Sequence, residues 1–532
     1  MAIHYSIDSL TIRNGRLFGW GWFLDTVAPV ESCTFVLTTK GGGFQSIACI
    51  FSGMRPDLQA AHPDVPHAAA AGFMLQSPLD LEPDRSQPAK LEVRLADGRT
   101  ESWEVSVAAL SPETSGLVRL RSRLRTLLGE WRKRANASGE WAGLSHVART
   151  LRARWVNRRQ RLPSRLRALR GRRVALVLDH GMGGGANRYR REFVRTSTDS
   201  GVAVVVIVPR LASLDYSISV LIPGCAPFEC GVDDIAPVLD ALSDMPDLHV
   251  HVNELISFHD VYAIIAWCIE SRGKNASRLV FHAHDYYAAC PSWTLIADDG
   301  RYCGVPSIQR CRACLPKNSA NTMGFTREND LVEWRERWGR FIAACDEIVA
   351  FSSASVDILR LAHPGFPVDR VHIRPHRVDA SAMRPVVPAR GEVVVVAVAG
   401  HISRPKGADM LREMAEFIRH GSLPVRIVVI GTLEGHRQSD HIDVLGEFET
   451  RALPDLLERV GASICFLPSV CAETYSFVTD EYMAMRMPVA VFPIGAPAER
   501  VARYADGLVL SRVDAQTAVC EILDFVRRSR EP

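Results

Sequence analysis

From residue 173 onward the chain repeats one pattern: a short, almost wholly apolar run, a turn carrying glycine or proline, and then a stretch of helical length. RRVALVLDH, VAVVVIVP, RLVFHAHD and CDEIVAFSS make a first series; after the Pro-bearing segment RPVVPARGE at residues 384–392 the rhythm restarts with VVVVAVAGH, VRIVVIGT, HIDVLGE, ASICFLPS and VAVFPI. Strands this uniformly apolar have both faces covered, and alternation with helices makes their sheet parallel. The pattern predicts an α/β fold with two doubly wound, Rossmann-like domains, residues 172–385 and 386–532, facing a cleft, with the last helix packing back on the first of them. In such sheets ligands bind beyond the C-terminal ends of the strands. The turns after these runs are therefore where function is sought.

The first 110 residues follow a different period. LTIRNGRLFGWGWFLD carries an Asn14-Gly15 turn signal between apolar runs, and LEVRLADGRTESWEVSV a second hairpin turning at Asp97-Gly98, which predicts a small all-β, sandwich-like module. Trp20 and Trp22 share one strand face, and such a stripe is expected to fill the core rather than form a sugar-stacking platform. Residues 111–171 read as a basic, amphipathic helical linker. Residues 119–173 hold 18 Lys and Arg against Glu130 and Glu140, a net of +16, whereas the rest of the chain, with 45 basic and 58 acidic residues, carries −13. Trp131, Trp141 and Trp155 on its apolar side favour an anionic membrane surface as partner over a solvated linker or nucleic acid. No apolar run reaches the ~18 residues of a membrane span, and the N-terminus lacks the basic and apolar regions of a signal peptide. A cytoplasmic protein is expected, peripheral on the inner face of the membrane. Thirteen cysteines without such a signal point to thiols or metal ligands rather than a disulfide framework.

Several turns carry chemistry. ETYSFVTDE, at residues 473–481, sets Glu473 after a strand and Glu481 inside the next helix. Between them Tyr475, Ser476 and Phe477 mark the helix start, where unpaired amides favour a phosphate. As an alternative, Glu473 is a helix N-cap or a surface acid. In GHISRPKGADM, His401, Arg404 and Lys406 precede a helix, cations and free amides suited to a diphosphate; a solvated lysine satisfies the same sequence. Gly431 in GTLEG and Leu445 in VLGEF end adjacent runs. In the first α/β domain, Gly183, Gly184 and Gly185 permit close backbone approach to a diphosphate or acceptor, or serve packing. HAHD sets His282, His284 and Asp285 at the end of a strand.

Taken together, GMGGGA, HAHD, GHISRPKG, VLGEF, ETYSFVTDE, YMAMRMPVAVF and GAPAERV, spread over about 172–525, resemble the family 4 glycosyltransferases, retaining enzymes of the GT-B fold. The β module resembles, through GWGWFLD and MRPDLQAAHP, N-terminal modules of some bacterial polysaccharide-synthesis enzymes. The resemblance implies transfer of a sugar from a nucleoside-diphosphate donor, with retention and with no cofactor for catalysis, to a glycan or lipid-linked acceptor of a bacterial surface polysaccharide. It implies Lys406 with an arginine on the donor diphosphate, Glu473 on the donor sugar, Glu481 on the ribose and His284 in the cleft near sugar or acceptor. Gly184, Gly185, His401, Gly431, Leu445, Tyr475, Ser476 and Phe477 complete the expected donor site. The family's arginine directly follows the glycine that ends the strand; this chain has His401 there, and Arg404 is the substitute. A GT-B epimerase or phosphorylase, and a catalytically silent glycan-binding or assembly scaffold, are the other readings.

Directly after HAHD come Cys290, Cys303, Cys311 and Cys314, closing with CRAC. Four thiols within 25 residues either hold a tetrahedral structural zinc that pins the loop beside the cleft or stay unligated, buried or oxidised.

Overall fold

Branched apolar runs become strands here because their side chains fill both faces of a pleated sheet, and the glycines between them close the turns. The computed structural model describes residues 4–105 and 162–529 apart from 14, 54, 56, 57, 59, 60, 63, 66, 69, 70, 80, 81, 85, 182, 274–276, 319–329, 377–382 and 437–440. The amphipathic helices expected over residues 119–161 lie outside the described residues. Contacts divide the chain into two compact units, Met1–Ser52 with Gly72–Leu279, and Gly53–Ala71 with Val280–Pro532. No helix among the described residues is long and apolar enough to cross a membrane.

In the first unit, strands β1 (His4–Arg13), β2 (Arg16–Leu24), β3 (Val30–Thr38), β4 (Phe44–Ala48), β5 (Ile50–Gly53), β6 (Gly72–Pro78), β7 (Ala89–Leu95) and β8 (Thr100–Val105) form two four-stranded sheets, β1-β2-β6-β5 and β4-β3-β7-β8. Leu17, Phe23, Phe35, Phe73, Leu75, Leu91 and Val93 pack in one core between them, which is the sandwich the two hairpin signals predicted. The tryptophan stripe is a correction. Trp20 is 36% exposed and Trp22 half-buried. Glycines hold the inward positions of β2, because a Cβ at Gly21 would lie 2.9 Å from the Phe73 ring and one at Gly19 would lie 2.5 Å from the Leu10 side chain. Phe73 and Leu10 occupy that volume, so the indoles face out.

The same unit continues with β9 (Val174–Leu178), β10 (Ala203–Arg210), β11 (Asp215–Leu221), β12 (Phe228–Val232) and β13 (Leu248–Val252), ordered β12-β11-β10-β9-β13. β9 lies parallel to both β10 and β13, whereas β11 and β12 extend the edge antiparallel. Strand order reverses between β9 and β13, so the crevice past their C-terminal ends is a ligand position. The β module joins this part through two arginines. Arg13 pairs with Asp233, and Arg16 donates to the His259 carbonyl.

The second unit opens with parallel strands β14 (Arg278–His282), β15 (Glu347–Ala350) and β16 (Val371–Ile373). Then come β17 (Val394–Ile402), β18 (Val425–Leu433), β19 (Asp443–Val444), β20 (Ile464–Leu467), β21 (Val489–Val491) and β22 (Gly507–Val509), all parallel, in the order β19-β18-β17-β20-β21-β22. Counted within this sheet that order is 3-2-1-4-5-6, the doubly wound arrangement of dinucleotide-binding folds, and its switch point lies between β17 and β20. Helix α1 (Ala515–Arg528) packs on helix Ala408–Gly421 of the same sheet. The expected fold class is thus present: mixed α/β with parallel sheets, preceded by a separate all-β region.

Candidate functional site

The switch point of the second sheet gathers the residues singled out in the sequence. His401 lies near the end of β17, and the chain then turns through Arg404 and Lys406 into helix Ala408–Gly421. Gly407 (φ 92°) makes this turn possible: a Cβ there would sit 2.1 Å from the Pro468 carbonyl, so the Lys406-Gly407 turn lies directly on the chain leaving β20. The Val470 amide donates to the Pro405 carbonyl at 3.1 Å and fastens the two loops. Gly431 (φ 140°) allows the same closeness one strand over, since its Cβ would lie 2.0 Å from the Gly400 carbonyl. His401 Nδ1 and Thr432 Oγ1 stand 2.7 Å apart. The Arg404 amide donates to Glu434 at 2.9 Å while its guanidinium stays in solvent, 3.7 Å from Asp409. Leu445, 45% exposed, follows β19 at the same end of the sheet.

From β20 the chain runs through Ser469, whose hydroxyl donates to the Glu473 carboxylate, and into helix Phe477–Ala484. Ser476 caps that helix, accepting from the Thr479 amide. Glu473 is therefore not the N-cap, which removes that alternative. Gly495 (φ 65°) starts the next helix against Glu473: a Cβ would meet the Glu473 carbonyl at 2.8 Å, and the Ala496 amide donates to that carbonyl at 2.9 Å. Glu481, on the second turn of its helix, is 5% exposed. The Tyr475 hydroxyl donates to the His376 carbonyl at 2.8 Å and also meets Asp480. Arg500 pairs with Asp480 and lies 4.8 Å over the Tyr475 ring. Burial pushes the Asp480 carboxyl up, against the pull of Tyr475 and Arg500.

His284 reaches the same turn. The Thr474 hydroxyl donates to the His284 carbonyl at 2.6 Å, and Ser352 donates to the Thr474 carbonyl at 3.0 Å. The His284 ring stacks on Phe351 at 4.4 Å; Phe351 stacks on His376 at 4.2 Å, and His376 on Phe477 at 4.8 Å. Asp285 accepts from the Tyr287 amide at 2.9 Å and shapes the turn. His282 is buried beneath, its pKa brought down to about 3 by burial and then by Arg374 and His376, so it is a neutral structural residue.

At the switch point of the first unit's sheet, Gly183 (φ 90°) and Gly184 (φ 80°) lead into helix Gly184–Asp199, with no heavy atom within 4 Å of a Cβ at either. Their positive φ, rather than crowding, requires glycine. Asn187 holds the turn: its Oδ1 accepts from the Gly183 amide at 2.8 Å, and its Nδ2 donates to the His180 carbonyl at 2.8 Å and to Asp179 at 3.1 Å. Arg190 lies 2.8 Å from Asp179, and His180 Nε2 lies 2.5 Å from Glu254 at the end of β13. Burial pushes the carboxyls of Asp179 and Glu254 up. Asp179, His180 and Glu254 are the described residues that bring three candidate metal-ligand atoms within 4.8 Å of one another, but Arg190 already supplies the cation there. Sequence reasoning missed this network. Its only signal is DH before the glycines, with Asn187 and Arg190 three positions apart on the following helix.

Cys290 and Cys303 lie in the loop that follows β14, whereas Cys311 and Cys314 lie on the helix Ile308–Cys314. The Asp298 amide donates to Cys314 Sγ at 3.3 Å and Asn318 Nδ2 does so at 3.6 Å, while Cys290 Sγ lies 3.3 Å from Ser292 Oγ. All four thiols are free and half-buried. They do not form a group of three sulfurs within 4.8 Å, wider than the about 3.8 Å edge of a tetrahedral cage with 2.3 Å Zn–S bonds. As arranged, they do not fit a closed zinc site.

Residues 392–527 match the family described as Glycosyl transferases group 1. No curated protein matches the chain. Among solved structures, the chain is similar to Alr3699/HepE of Anabaena in complex with UDP, at 14% identity over 67% of this chain and 91% of that one, with a TM-score of 0.42. It is also similar to a glycosyltransferase from Rickettsia africae, at 12% identity over 67% and 89%, TM-score 0.41. The pneumococcal O-GlcNAc transferase GtfA with UDP and GlcNAc matches at 9% identity over 68% and 93%, TM-score 0.39.

Proposed function

We propose that this chain is a retaining, GT-B-type glycosyltransferase that moves a sugar from a nucleoside-diphosphate donor to a glycan or lipid-linked acceptor in the synthesis of a bacterial surface polysaccharide. The observation that carries this reading is the meeting of the Lys406-Gly407 turn with the loop of Glu473 at the switch point of a 3-2-1-4-5-6 sheet, within the stretch that matches the glycosyltransferase family. UDP in the structures similar to this chain supports a uridine nucleotide.

In this reading Lys406 and the first turn of helix Ala408–Gly421 receive the diphosphate, Glu473 orients the sugar and Glu481 the ribose. The reaction breaks the bond between the anomeric carbon and the diphosphate oxygen. Stabilising the departing phosphate is the main demand, and a cation beside a helix N-terminus meets it. The acceptor oxygen bonds to the anomeric carbon on the face the phosphate leaves, and its proton passes to that phosphate. His284, held through its carbonyl beside Thr474, lines the sugar side. His401 and Arg404 lie at the diphosphate end.

Incubating the protein with UDP- and GDP-sugars tests the reading. Release of the matching diphosphate, accelerated by a glycan or lipid-linked acceptor, is expected; no release with any donor would overturn it. Two further proposals rest on sequence. Residues 119–173 attach the protein to anionic membranes, and failure to float with anionic vesicles at low salt would refute this. A structural zinc on Cys290, Cys303, Cys311 and Cys314 requires the thiols to draw together; metal analysis giving no zinc would end that proposal.

A further inference from the structure

Two of the thirteen cysteines face each other across a strand pair of the β module. Strands β3 and β4 run antiparallel with Phe35 opposite Ile47 and Thr34 opposite Ala48, and the next step of that register sets Cys33 opposite Cys49. The Cys49 amide donates to the Cys33 carbonyl at 2.9 Å, which fixes the two backbones at this point. Side chains alternate along a strand, so Cys33 shares the buried face of β3 with Phe35 and Leu37, and Cys49 continues the face of Gln45 and Ile47. Both thiols accordingly meet one core. Cys33, 2% exposed, is a member of it, and half-buried Cys49 packs against it. Opposed residues of a hydrogen-bonded antiparallel pair have Cα atoms about 5.5 Å apart, inside the roughly 4.4–6.8 Å that a disulfide spans. Among the described strands no other cysteine stands so: Cys230 faces Ile218, and Cys465 faces Val489 and Ala397.

Their position gives the pair a consequence. Cys49 is the one residue between β4 of one sheet and β5 of the other, so it marks the corner where the chain crosses the sandwich. A bond to Cys33 ties that corner to a central strand. The two thiols also differ in access. A hydrogen bond with the Cys49 thiol, and then burial, push the Cys33 ionisation up, whereas Cys49 is partly open to solvent. An outside reagent therefore meets Cys49 first, with Cys33 behind it as the resolving thiol.

We propose that Cys33 and Cys49 form a redox modification site, closing to a reversible disulfide by exchange with a small-molecule disulfide such as oxidised glutathione. The Cys49 thiolate attacks one glutathione sulfur, breaking the glutathione S–S bond and releasing one glutathione thiolate; the Cys33 thiolate then attacks the Cys49 sulfur and displaces the second. Two protein thiols are oxidised, one glutathione disulfide is reduced, and the two protons lost by the cysteines pass to the departing thiolates. Incubating the folded full-length protein with oxidised glutathione, then alkylating and mapping peptides by mass spectrometry, tests this. A linked Cys33–Cys49 peptide is expected, and dithiothreitol removes it. In Cys33→Ala the resolving thiol is gone, so glutathione stays on Cys49 as a mixed disulfide; in Cys49→Ala, Cys33 stays reduced. Exposed Cys225 reports that the reagent acts. Glutathione on Cys225 with no Cys33–Cys49 link in wild type would overturn the proposal. So would a link that forms only in urea, because the folded strands would then not fit the bond.

Discussion

At the scale of single residues, the site depends on groups that are costly alone. Asp480 is half-buried with its carboxyl pushed up, and it is tolerated because Arg500 and Tyr475 meet it. Arg500→Ala leaves that carboxylate without its cation, a loss we expect at about 1–3 kcal/mol, discounted because Arg500 is partly in solvent. A raised carboxyl escapes the penalty by taking a proton, so urea denaturation should show a larger loss at pH 8 than at pH 5; an equal loss would mean Arg500 acts by packing alone. Glu473, Glu481 and Lys406 were legible in the sequence because each sits in a contiguous motif after an apolar run. Arg500 was not, because its partners lie 20 and 25 positions earlier and meet it only through the fold.

At the scale of elements, two glycine turns that read alike in sequence carry different loads. Gly407 combines φ 92° with a Cβ contact of 2.1 Å to the Pro468 carbonyl, whereas Gly183, at φ 90°, has open space around it. Gly183→Ala should cost about 1 kcal/mol for backbone strain. Gly407→Ala should cost at least about 2 kcal/mol, because the clash adds to that strain, and should also weaken diphosphate binding by prising the Lys406 turn from β20. Denaturation of the two variants side by side checks this ordering, and equal costs would contradict it. The buried strands β9, β10, β17, β18 and β20 were legible from their unbroken apolar runs. β11 and β12 were not, since an antiparallel edge alternates, and β13 was not, since LHVHV interrupts its apolar run with two histidines. The stripe of Trp20 and Trp22 misled for a related reason. Alternation fixes which residues share a face, but only the volume already filled by Phe73 and Leu10 decides which face is the core.

At the scale of the whole molecule, three buried histidines set a shared acid limit. His259 and His363 are brought down to about 4, and His282 to about 3, each chiefly by burial. Unfolding lets each return to its ordinary pKa near 6.5, so below that pH the unfolded chain binds more protons and stability falls as pH drops toward 4. Each contributes up to about 2 kcal/mol of loss by pH 5. Thermal melts should therefore fall clearly between pH 7 and pH 5, with no drop contradicting neutral burial of these rings. The two sheets each place their distinctive turns at a switch point, and the central claim concerns the second of these. Its most direct test is titration of a sugar nucleotide and its free diphosphate into Lys406→Ala and Glu473→Gln, with transfer measured in parallel. The account predicts that Lys406→Ala weakens both ligands about tenfold or more, that Glu473→Gln weakens the sugar nucleotide while sparing the diphosphate, and that both lose transfer by about 100-fold or more; wild-type binding and transfer in both variants would contradict it.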